Sequence, residues 1–186
     1  MDSKKLVEVL LFSSPEPLTQ GKLNQILFDG ENIDMKSVVE VLNADYLKEN
    51  KGLKIEKIGG GYQILSHPEY HLYIQRLFNK AKKVKLSRPA LEALSIIAYK
   101  QPLSRVEVES IRGVECGSVI KTLMERELIT IKGRDDGMGR ALLYGTSQRF
   151  LELFGLNHLS DLPKLKEIDM LMNDGELPTE KLDETK

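Results

Sequence analysis

One pattern is written twice in this chain, and that constrains its fold more than any other feature. Pro17-Leu18-Thr19 returns 85 residues on as Pro102-Leu103-Ser104. Around it, Leu6 matches Leu91, Val9 matches Leu94, Leu23 matches Val108 and Ile26 matches Ile111. The register then slips by four, and Ser37-Val38-Val39, Leu42 and Leu47 match Ser118-Val119-Ile120, Leu123 and Leu128. Each copy reads as three helical periods followed by two strand periods with glycines between them. A chain of 186 residues has room for two such units of about 80 residues and a tail.

The first helix is expected over 3–13, with Leu6, Val9, Leu10 and Phe12 on or near its apolar face. Pro15 and Pro17 end it. Thr19 is placed to cap a second helix to about residue 28, with Leu18 and Leu23 as a hydrophobic staple and Gly30 beyond its end. Asp34 caps a third over 34–49, whose buried face runs through Val39, Leu42, Tyr46 and Leu47. Leu53, Ile55 and Ile58, then Gly59-Gly60-Gly61, then Tyr62, Ile64 and Leu65 read as a hairpin. A closing helix over 69–81 follows Pro68.

The second copy restarts at Ser87 as a cap, with Leu91, Leu94, Ile97 and Ala98 on the helix face. Ser104-Arg105-Val106-Glu107 fits a capping box. The third helix carries Val119, Ile120, Leu123 and Met124. Strands over 128–132 and 141–145 precede a short closing helix at Phe150, Leu151 and Phe154. Three helices and a hairpin in that order form a winged helix. The expected class is α+β, mainly α, with two tandem winged-helix domains plus an acidic C-terminal tail. The divisions are 1–81, a linker at 82–86, 87–156, and 157–186 as an amphipathic helix and tail. Asp161 would cap that helix through Leu162, Leu165, Ile168, Leu171 and Met172, and residues 174–186 are expected to be mobile.

Charge narrows the partners. Residues 1–86 hold 13 Lys/Arg against 11 Asp/Glu, 87–155 hold 10 against 9, and 156–186 hold 4 against 8. The units are near neutral, without the basic excess of a domain held by phosphate contacts. Lys80–Lys85 reads as a solvated link. The third helices offer Lys36, Glu40, Asn43, Asp45 and Lys48 in one copy, and Lys121, Glu125, Arg126 and Glu127 in the other. Acids in that place oppose base reading. A winged-helix DNA-binding transcriptional regulator is the alternative reading, and DNA contact is expected to be weak or indirect. No apolar run spans a bilayer, and the start reads as a helix rather than a signal peptide. A cytoplasmic protein is expected.

No catalytic or metal-ligating constellation stands out, and no cofactor is expected. His67 and His71 are four apart but lack the HExxH glutamate. The glycine runs lie between strand periods, where they serve turns. Asp135-Asp136 belongs to a wing tip. Cys116 lies near a helix start, which could lower its pKa, but no histidine is close in sequence.

The stretch from Leu91-Glu92-Ala93-Leu94-Ser95-Ile96-Ile97-Ala98-Tyr99-Lys100-Gln101-Pro102, with Ile111-Arg112-Gly113-Val114, Gly139-Arg140-Ala141-Leu142-Leu143-Tyr144-Gly145-Thr146 and Phe150-Leu151-Glu152-Leu153-Phe154-Gly155-Leu156, resembles the segregation and condensation protein B family. Leu159 and Asp161-Leu162-Pro163 extend the match. The resemblance covers nearly the whole chain and is strongest over 86–165. It implies a non-enzymatic scaffold subunit of the bacterial SMC condensin complex, serving chromosome condensation and segregation. It also implies a nucleoid-associated homodimer joined through the first unit, a kleisin subunit bound by the second, and the SMC ATPase reached through the kleisin. Ser147, where a second threonine is common, is a small departure. On this reading Tyr99, Leu103, Val106, Arg140, Leu142 and Tyr144 are the kleisin-binding candidates, with Tyr99 and Arg140 foremost for their polar tips. Leu11, Phe12, Tyr70 and Tyr73 are the dimer-interface candidates, being apolar beyond the needs of a small core.

Overall fold

A computed structural model describes residues 2–78 and 86–164. These residues are mainly helical with a few short strands, in a winged-helix-like order. The first half runs α1 (Ser3–Ser13), α2 (Gln20–Ile26), α3 (Met35–Lys48), β1 (Leu53–Ile58), β2 (Gly61–Ser66), a 3₁₀ turn at Pro68–Tyr70 and α4 (His71–Leu77). The second runs α5 (Arg88–Lys100), β3 (Leu103–Ser104), α6 (Arg105–Arg112), α7 (Gly117–Glu125), β4 (Ile129–Arg134), β5 (Leu142–Thr146) and α8 (Gln148–Phe154). A 3₁₀ turn at Leu159–Asp161 follows. The basic run over 80–85, most of the 82–86 linker, the helix expected through Met172 and the acidic end all lie outside the described residues.

Two separate apolar clusters hold the halves. One gathers Val7, Leu11, Leu18, Leu23, Met35, Val39, Leu42 and Ile55, among others. The other gathers Ala93, Leu94, Ile97, Val108, Ile120, Leu123, Ile129 and Phe150, among others. The repeated Pro-Leu-Thr/Ser explains itself here. Leu18 exchanges backbone hydrogen bonds with Tyr62, at 2.8 and 2.9 Å, and its side chain enters the first cluster. Leu103 pairs with Tyr144 and enters the second. The next residue caps the next helix: Thr19 accepts from the Lys22 N–H, and Ser104 from the Glu107 N–H. Glu107 returns the bond to the Ser104 N–H at 2.7 Å, completing the expected capping box. The resulting sheet order β3-β5-β4 contains a third strand that periodicity does not show, because two residues carry no period.

Two of the matched registers fail. Val9 is 60% exposed whereas Leu94 is 2% exposed. Val7 and Leu11 fill the space that Leu94 and Ala98 fill in the second half, because the loop at Ser14-Pro15-Glu16 is longer than its counterpart. The buried face of α1 is therefore Val7 and Leu11 with Leu6 and Leu10, and Val9 and Phe12 face outward. Leu47 is 83% exposed whereas Leu128 is 3% exposed. There α3 runs to Lys48, so Tyr46 takes the inward position and Leu47 points out, while α7 stops at Glu125 and the chain turns Leu128 inward. Elsewhere the bounds hold to within a few residues, although α2 stops at Ile26, well before Gly30. Asp161 caps no following helix among the described residues. Its carboxylate accepts from the Asn157 and His158 N–H groups, both at 2.9 Å, and so closes the 3₁₀ turn on itself.

The register finding has a direct check. Leu42→Ala removes a fully buried side chain and should cost about 2–5 kcal/mol of stability. Leu47→Ala, five residues on and on the outer face, should stay within about 0.5 kcal/mol in the same denaturant titration.

Candidate functional site

The six candidates of the second half do not form one surface of equal access. Leu103 is a core residue, buried in the second cluster, so it cannot be an anchor for a partner. Tyr144, its strand partner, is half-buried and packs on the same cluster. Leu142, two residues back on β5, therefore shares the face of Tyr144 and is also half-buried. Val106 stands in the first turn of α6, within the capping box between Ser104 and Glu107, and is 66% exposed. Arg140 is exposed at the end of the wing, with a positive φ of 43°. Its carbonyl accepts from Arg134 Nη1 at 3.3 Å and its N–H donates to the Gly137 carbonyl at 3.1 Å, so the backbone of the wing tip is tied while the Arg140 side chain projects from it.

Tyr99 behaves differently from its sequence expectation. It lies in the last turn of α5 and is partly exposed, but its hydroxyl donates to the Pro163 carbonyl at 2.8 Å. Leu156 and Leu162 meanwhile pack against the second cluster. The segment after α8 is thus a strap laid back over α5, and the Tyr99 tip is spent holding it. No signal in the sequence marks a hydroxyl-to-backbone bond across such a separation.

Glu107 is exposed in the first turn of α6. The backbone and hydroxyl of Ser104 hold its carboxyl below the usual range. A lowered folded pKa means that the box contributes fully above the ordinary carboxylate range and weakens as pH falls through the folded value.

In the first half, Leu11 is buried within its own core, so its place among the interface candidates is corrected. Phe12 is 81% exposed, Tyr73 is exposed, and Tyr70 is partly exposed. The whole of α4 is short of cover: Leu72, Tyr73 and Leu77, with Phe78 beyond them, are exposed. Leu47 and Tyr70 line one cleft together with Leu53 and Lys51.

Several polar side chains of the third helices are bonded within the chain. Asn43 bonds both polar groups of Ile55, its amide donating to the carbonyl and its oxygen accepting the N–H, each at 2.9 Å. Asp45 is paired with Lys4 at 2.6 Å, and Lys121 with Glu125 at 3.8 Å. Cys116 is fully buried at the start of α7, and burial pushes its thiol pKa up, with the Glu109 charge adding to the effect against Arg112 and Arg105. The helix-start lowering expected from its position is reversed by this burial. Among the described residues no group of histidine, cysteine and carboxylate side chains could hold a metal, and no helix is long and apolar enough to cross a membrane.

The family model of the segregation and condensation complex subunit ScpB matches residues 5–165. The chain belongs to this family. Segregation and condensation protein B of Syntrophotalea carbinolica is 40% identical over 176 residues, covering 95% of this chain and 88% of its own. That of Desulforamulus reducens is 45% identical over 168 residues, covering 89% and 90%. The crystal structure of ScpB from Mycobacterium tuberculosis is similar at 27% identity over 84% of this chain and 96% of its own, with a TM-score of 0.40. Membership makes this chain a non-enzymatic scaffold subunit in chromosome segregation and condensation, and it decides against the transcriptional regulator.

The buried thiol gives a test. Cys116 in the folded protein should resist a maleimide at pH 7 over hours. In denaturant it should react within minutes, as read by mass spectrometry.

Proposed function

We propose that the chain works as two tandem winged-helix domains, 1–81 and 87–156, the first joining two copies and the second binding the kleisin subunit. The SMC ATPase is reached through that kleisin, and DNA contact is weak and indirect. The setting is the cytoplasmic nucleoid. The observation that carries the reading is the pair of separate apolar clusters, each built from one copy of the repeat, with Leu86 and Leu162 at the edge of the second.

For the dimer, the support is the uncovered apolar side of the first half. A helix with Leu72, Tyr73, Leu77 and Phe78 all exposed has no reason to form against water alone. Phe12 and Tyr70 are the candidates from neighbouring elements. For the kleisin, the support is a ledge of exposed Val106 and Arg140 beside half-buried Leu142 and Tyr144, apolar matter with a charged rim. An amphipathic helix of the kleisin is the occupant of suitable chemistry.

Cleavage at a protease site placed within 79–85 should yield two fragments, each keeping a cooperative melt. The first should sediment as a dimer and the second as a monomer that still captures kleisin. A monomeric first fragment at tens of micromolar would remove the dimer reading.

Val106→Ala with Arg140→Ala should weaken kleisin binding by tenfold or more, about 1.4 kcal/mol, in calorimetry. The melting temperature should hold, since both side chains are exposed. Tyr99→Phe serves as the comparison: it releases the strap at Pro163 while keeping the ring. Wild-type affinity in the double variant would mean that the ledge has been placed wrongly.

A further inference from the structure

The hairpin tip of the first half is seated on the second half. The Gly59 N–H donates to the Leu156 carbonyl at 2.9 Å, and Gln148 Nε2 donates to the Gly59 carbonyl. Both backbone groups of one turn residue are therefore satisfied across the two halves. Gly59 is buried there, whereas Gly60 beside it is exposed. A Cβ on Gly59 would stand 2.5 Å from Gln148 Nε2 and 3.2 Å from Glu152 Cγ, so a side chain there would push the Gln148 amide out of its place on the turn. A Cβ on Gly60 would meet nothing within 4 Å. Both residues have positive φ, 60° and 75°, so the turn alone asks for glycine at either position. The difference between them is that a side chain at Gly59 would also displace the Gln148 amide, whereas one at Gly60 would displace nothing.

Charge supports the same seating. The Asp161 carboxyl is held below the usual range first by the backbone N–H groups of His158 and Asn157, and Lys57 of the first hairpin adds to the effect. Beside the contact lies a cleft of about 720 Å³, where Glu16 of the first half lines one wall and Met124, Ile129, Ile131 and Glu152 of the second line the rest. The contact at the tip is thus two hydrogen bonds beside an open cleft. Bonds of this kind exchange readily with water, so such a contact can open and close without unfolding either core.

We propose that the Gly59-Gly60 tip is a latch. Closed on Gln148 and Leu156, it holds the two halves in one relative orientation; released, it lets them reorient and frees the Gln148 amide and the Leu156 carbonyl. The latch rests on the two-domain reading above, which the cleavage experiment tests separately, and it does not depend on where the kleisin binds.

Spin labels at Lys22→Cys and Ser110→Cys, both exposed positions, report the distance between the halves by pulsed electron resonance. The full chain is used, diluted with excess unlabelled chain so that only distances within one copy are read. Gln148→Ala and Gly59→Ala should each broaden the distance distribution at least twofold. Gly60→Ala, which carries the same backbone strain into empty space, should leave its width unchanged. Gln148→Ala changes no residue of the turn or of the first core, so broadening there reports the lost contact rather than backbone strain in the hairpin. Unchanged widths in both Gln148→Ala and Gly59→Ala would overturn the latch. Equal broadening in Gly60→Ala and Gly59→Ala, with none in Gln148→Ala, would also overturn it, because turn strain would then be the cause.

Discussion

Each half depends on one short antiparallel bridge. A leucine that follows proline pairs its backbone with the second wing strand, Leu18 with Tyr62 and Leu103 with Tyr144. That pairing fixes three things together. It orients the leucine side chain into the core, it places the next hydroxyl at the start of the following helix, and it ties the wing to the helices. In the first half the approach leaves no room for a side chain at the strand residue before Tyr62: a Cβ on Gly61 would stand 2.9 Å from the Leu18 backbone. Without the bridge, the hairpin would be a two-stranded ribbon of marginal stability.

That is also why so much was legible in the sequence. A residue triplet that satisfies backbone, core and cap at once tolerates few alternatives, so it stands out when written twice. The helix starts at Thr19, Asp34, Ser87 and Ser104 were readable because capping chemistry is local. The hairpins were readable because their period differs from that of the helices. What failed was register away from the triplet. A longer loop before Leu18 shifts α1, and an extra helical turn shifts the end of α3, so similar letters at matched positions face opposite ways. Val9 and Leu47 are the two casualties. An unweighted match of apolar residues cannot sense a loop length that only the packed core measures.

The candidate surfaces were legible to a lesser degree. Val106 and Arg140 are exposed as expected, because a residue just inside a helix start and one at a wing tip have few neighbours. Leu103 and Leu11 belong to cores, and hydrophobicity alone could not separate them from Phe12 or Tyr73. The Tyr99 hydroxyl is engaged by a backbone carbonyl far along the chain, a partnership that leaves no trace in residue types.

The bond between Tyr99 and Pro163 fixes where the rest of the chain departs. It brings the described chain, which runs to Lys164, back to the last turn of α5, next in sequence to the Leu103 bridge. A pull applied at Lys164 would therefore be borne first by one side-chain hydrogen bond, and only then by Leu162 and Leu156 where they pack on the second cluster.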